Sequence, residues 1–150
     1  MSRRARLVRA RGEEGSAIVE FVFLGVLLLV PLVYLTMSVA RIQAGSYAVT
    51  TAAREAGRAF VTADAGQDAA ARARAASEIA FRDQGFPNMG SLDIACSASP
   101  CLTPDARVVT TTRVTVPLPL VPAFARDVVP LEIPLTASHL SVVDRFRGAP

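Results

Sequence analysis

The sequence predicts an α+β fold in which an N-terminal transmembrane helix continues outside the membrane and packs on a small antiparallel sheet. Three observations predict it. Phe21 to Ala40 is a charge-free run, FVFLGVLLLVPLVYLTMSVA. Apolar residues keep helical spacing beyond that run, and after Gly90 the period changes to two. The resulting division is a basic leader over 1–15, a membrane helix over 16–41, a helical segment over 42–84 and a β-rich segment over 85–150.

Charge defines the first segment. The chain has 150 residues, and its sixteen basic residues, all arginine, face thirteen acids, for a net charge of +3. Arg3, Arg4, Arg6, Arg9 and Arg11 lie in the leader with Glu13 and Glu14, which leaves residues 16–150 neutral. The excess charge is therefore a tail and not a cationic face, which argues against a folded nucleic-acid-binding domain. One histidine and two cysteines are a poor supply for a metalloenzyme.

The second segment is long enough to span a bilayer. Twenty helical residues at ~1.5 Å each reach ~30 Å, the thickness of the hydrocarbon core. Pro31 removes one backbone hydrogen bond and predicts a kink near Val30, which membrane helices tolerate. The arginine tail predicts a cytoplasmic N-terminus and an extracytoplasmic C-terminal segment. A rival reading is a signal peptide cleaved after Ala40, with Ser38-Val39-Ala40 as the small-x-small site. Against it, the apolar run exceeds the ~7–15 residues of a usual signal peptide, and Glu20 stands at its head.

Glu20 has two readings. It either snorkels at the headgroup level or pairs with a cation. Cleavage after Gly15 would create an α-amino group on Ser16, one helical turn from Glu20. In two copies offset along their axes, that amine could meet the Glu20 carboxylate of the neighbour and help fix subunit register.

Gly15-Ser16-Ala17-Ile18-Val19-Glu20-Phe21 resembles the processing site of prepilins in the tight-adherence (Flp) branch of type IV pilus systems. Followed by an apolar helix with Pro31 and then by Ala52-Ala53-Arg54-Glu55-Ala56-Gly57-Arg58-Ala59, it is similar to the TadE-like family of pseudopilins, or minor pilins. The resemblance covers roughly residues 12–60. It implies a pilin-like architecture, leader removal between Gly15 and Ser16 by a membrane prepilin peptidase, and a role in pilus assembly without catalysis. The implied partners are the inner membrane, that peptidase, other pilins and the pilus platform proteins. Neither nucleic acid, nor a small-molecule substrate, nor a cofactor is implied. Glu20 and Phe21 would act in assembly. The leader departs from the pattern in being acidic just before the glycine.

Residues 42–60 continue the helix. Ala48, Val49, Ala52, Ala53, Ala56 and Phe60 share one side, with Thr50, Thr51, Arg54, Glu55 and Arg58 opposite. Such a small-residue stripe allows close approach, either to neighbouring subunits or to the chain's own sheet. Thr62 to Gly66 reads as a break, with Asp64 capping a second helix over 67–84. Asp68 with Arg72 and Glu78 with Arg82 form i,i+4 pairs on it, and Gly85 with Pro87 ends it. Leu92–Ala95, Arg107–Val116 and Leu131–Val143 read as strands. Pro117, Pro119, Pro122 and Pro130 preclude a longer ladder between the last two.

Cys96 and Cys101 are spaced for a disulfide, for half of a metal site, or as two free thiols. Zinc would need two more ligands, which His139 alone cannot supply, and an extracytoplasmic location favours the disulfide. His139 lies on the last strand with no partner motif, as a structural or surface residue. No phosphate-binding loop, nucleophile elbow or repeat is present. The reading is a single-span structural assembly protein of the cytoplasmic membrane, with a secreted binding module freed after Ala40 as the alternative.

Overall fold

A computed structural model describes residues 14–64, 66–118 and 131–146. The leader arginines, Glu13, Pro119, Pro122 and Pro130 lie outside the described residues. Among the described residues two helices precede three strands: α1 (Glu14–Val61), α2 (Ala69–Asp83), β1 (Gly90–Cys96), β2 (Arg107–Pro117) and β3 (Glu132–Val142). The strands form one sheet in the order β1-β2-β3, and both neighbouring pairs are antiparallel. The chain divides into two compact units, Met1–Ser38 and Val39–Pro150.

In the first unit, α1 is apolar and bare. Its most apolar window of 18 residues has a mean hydropathy of 2.6, and none of that window is buried. Ile18, Phe21, Phe23 and the leucines and valines that follow are exposed, Phe21 by 76%. Such an unbroken apolar surface marks contact with something other than water. Pro31 lies inside α1, which is continuous through it.

In the second unit, α1 lies on the inner face of the sheet. Val108, Thr110, Thr112, Val114 and Val116 of β2 are all buried, while the alternate residues are mostly exposed. This is the two-residue period of a strand with one face covered. The cover is the alanine stripe: Ala48, Val49 and Ala52 share one core cluster with Phe81, Phe86, Val114 and Val116. Ala56 and Phe60 share the other with Ala73, Ala106, Val108 and Val143. The stripe is therefore occupied by the chain's own sheet, which excludes the reading that it packs on neighbouring subunits.

Small residues bring the two layers unusually close. A methyl group on Gly45 would overlap Val116 Cγ2 and lie 2.9 Å from Leu135 Cδ1. One on Gly57 would lie 2.5 Å from Ser141 Oγ and 3.1 Å from Thr110 Oγ1. The helix thus runs against β2 and along β3. At this separation two buried threonine hydroxyls reach the helix backbone. Thr110 Oγ1 donates to Ala53 O and Thr112 Oγ1 to Val49 O, both at 2.7 Å. A carbonyl has two lone pairs, so each acceptor can serve the helix and the strand together.

The second helix differs from expectation at its start. It begins at Ala69, and its N-cap is Asp68, not Asp64: Asp68 Oδ1 accepts from Ala71 N at 3.0 Å. Only a residue at the point where the backbone turns helical can reach those unpaired N–H groups. The same capping removes Asp68 from the expected pair with Arg72, whose guanidinium bonds Gln67 Oε1 instead. Glu78 and Arg82 do pair, at 4.0 Å, and Glu78 Oε1 also accepts from Asn88 N. At the other end, Gly85 has φ +79. Phe86 N donates to Phe81 O at 2.9 Å and Gly85 N to Arg82 O at 3.0 Å, a Schellman cap closed by two buried phenylalanines. β1 is longer than the expected 92–95, because its partner continues to pair with it: Gly90 faces Val114 and Cys96 faces Val108.

Candidate assembly site on the N-terminal helix

Gly15 and Ser16 occupy the first turn of α1, which starts at Glu14. The first four N–H groups of a helix have no intrahelical acceptor. Glu20 stands one turn beyond Ser16, and both are exposed, as is Phe21. Among the described residues no hydrogen bond or ion pair engages the Glu20 side chain. Among the described residues, α1 thus presents the Glu20 carboxylate at the head of a bare apolar surface with no counter-charge beside it.

Arg41 is the first charge after the apolar run, and its surroundings were not foreseen. Its guanidinium lies over the Phe86 ring, 5.1 Å from the centroid, and it approaches Gly85 at the C-terminal end of α2. The stacking is a cation–π contact. The electronegative end of a helix is also a favourable place for a cation. The only hint in the sequence is an arginine close behind the apolar run, which does not reveal an aromatic partner 45 positions away. The pair Gly45 and Gly57 was likewise missed, although both fall on the alanine stripe at helical spacing.

Cys96 and Cys101 are joined, with an S–S distance of 2.15 Å and Cα atoms 5.4 Å apart. The loop they close packs beside Ala106, Val108 and Val143 and is tied back by Ser97 N to Arg107 O at 2.9 Å. His139 is half-buried on the inner face of β3 beside Gly57, and its carbonyl accepts from Thr110 Oγ1 at 3.2 Å. A wide-open depression of about 420 Å³ lies between α2 and β1, lined by Arg74, Ala75, Ser77, Glu78, Gly90 and Leu92. Its charges are of opposite sign and it contains no nucleophile–base pair. Among the described residues no group of three or more His, Cys, Asp or Glu could hold a metal ion.

The geometry is that of a helix built for contact along its length, and the comparison with known families matches that stretch. Residues 15–58 match the family model described as TadE-like protein. No curated protein and no solved structure matches the chain. The likeness to TadE-like proteins thus covers most of α1, including its apolar stretch, and stops short of the three-stranded sheet.

Proposed function

We propose that this protein is a single-span pseudopilin of a tight-adherence pilus system, with a structural role in assembly. The observation that carries the reading is the bare apolar surface of α1 headed by Glu20, which has no ion-pair partner among the described residues, inside the segment that matches the TadE-like family. Residues 1–15 act as a cytoplasmic leader, removed between Gly15 and Ser16 by a prepilin peptidase. The span holds the protein in the cytoplasmic membrane, with the sheet on the far side. The new Ser16 amine of one copy then meets Glu20 of the next or of another pilin. A pair in a low-dielectric surrounding is strong only at close range and good geometry, so it selects one axial offset among many.

The alternative, a secreted module cut after Ala40, requires proteolysis inside α1, which is helical without interruption from Glu14 to Val61. Intact-mass measurement separates the two. Loss of residues 1–15 from membrane-bound protein supports the pseudopilin. Loss of residues 1–40, with the product soluble, overturns it. Glu20→Ala is expected to insert normally and to lower pilus output; unchanged output would reduce Glu20 to a marker of the membrane edge.

A further inference from the structure

We propose that the end of the second unit carrying Arg41 is a lipid-contacting rim, in which Arg41 binds the phosphodiester of a membrane phospholipid while Met89 and Leu131 sit among the headgroups. The inference rests on the membrane-spanning reading of residues 21–40. It goes beyond that reading by assigning a membrane surface to the folded unit itself.

Several observations place these residues together. Gly45, one turn after Arg41, is met by Val116, Leu135 and Phe86. The Phe86 ring carries the Arg41 guanidinium, and Met89 N donates to Phe86 O at 3.3 Å. Leu118 N donates to Leu131 O at 2.9 Å, continuing the ladder past Pro117 and Glu132. The β2–β3 end of the sheet and the α2–β1 turn therefore gather around the helix at Arg41. Met89 and Leu131 expose 42% and 48% of their surfaces there.

Continuity with the membrane decides what covers this surface. Arg41 follows directly on Ala40, the last residue of the charge-free run, so it emerges where phosphates are concentrated. An arginine at that depth lays its stem along apolar surface and turns its head to the interface. Here the Phe86 ring takes one face of the guanidinium, and among the described residues no hydrogen bond engages its edge donors. No acid forms an ion pair with Arg41 among the described residues. A planar fork of donors fits phosphate oxygens better than water does. Glu132 belongs to the same end, but strand alternation turns it to the outer face, away from Ile133.

The test uses the full chain in nanodiscs of equal parts phosphatidylglycerol and phosphatidylcholine. The sequence contains no tryptophan, so single substitutions report position cleanly. Met89→Trp and Leu131→Trp are expected to be quenched by headgroup-spin-labelled lipid, and Val142→Trp, at the opposite end of β3, to escape quenching. Val30→Trp, quenched by lipid brominated in mid-chain, reports the span independently. Arg41→Gln is expected to abolish the quenching of Leu131→Trp, and Arg41→Lys to retain part of it. Dark Met89 and Leu131 probes are those quenched as expected; bright ones beside a quenched Val30 probe overturn the rim and leave the span standing. A bright Val30 probe overturns both. Unchanged Leu131→Trp quenching in Arg41→Gln overturns the role of the guanidinium.

Discussion

Gly45→Ala tests how closely α1 lies on the sheet. The added methyl would overlap Val116 Cγ2 and stand 2.9 Å from Leu135 Cδ1. Val116 is fully buried, and its β-branched side chain has little rotameric freedom. Overpacking of this kind costs about 1–3 kcal/mol. The better helix propensity of alanine returns about 1 kcal/mol. With two side chains to displace, the balance is a loss of about 1–2 kcal/mol, or a factor of about 5–30 in the population of the open state. Hydrogen exchange of the detergent-solubilised full chain reads this as faster exchange across Arg107–Pro117, whose amides open with the core. Gly25→Ala is the control, because nothing lies within 4 Å of the added methyl, and it should leave those amides unchanged. Unchanged or slower exchange in Gly45→Ala would refute the close helix–sheet approach and, with it, the threonine bonds that depend on it.

Three other features can be probed by substitution. Asp68→Ala should destabilise α2 by about 1 kcal/mol through loss of its N-cap, read as faster exchange over residues 69–72, whereas Asp64→Ala should leave those amides alone. Thr112→Val removes the 2.7 Å bond to Val49 O while keeping the side-chain shape. The net loss should be about 1 kcal/mol, measured as a lower denaturation midpoint. Replacing Cys96 and Cys101 together by serine should cost about 2 kcal/mol in the loop-entropy model. Addition of a reductant should then lower the midpoint of the parent protein and not that of the double variant.

Much of the fold was legible because it rests on periodicity. Alternating Val and Thr in β2 can satisfy a covered and an open face only as a strand, and the apolar run before Arg41 has one economical structure. Other features depend on partners distant in the chain. An alanine stripe is equally suited to a neighbour's helix or to its own sheet; which one covers it is decided by Thr110, Thr112 and Val116, more than fifty residues away. Asp64 and Asp68 are chemically equal caps, and the path of the backbone between them makes the choice. Glu20 stood out on the sequence because a carboxylate at the head of a spanning run would be costly without a partner. Arg41 did not, since its meaning lies in Phe86.

The number of strands has a consequence for how copies can meet. With three antiparallel strands, the two outer ones, β1 and β3, point the same way, and both point along α1. A two-fold joining of β3 to β3 would reverse one copy and send the two Arg41 ends apart, which conflicts with the proposed span, since each Arg41 follows directly on the apolar run. For copies held side by side by the proposed span, the symmetric joining is thus ruled out, and the junction of edges that keeps both Arg41 ends level is β3 against β1 of the next, in parallel. That junction is directional and leaves a free edge at each end, so it propagates instead of closing into a pair.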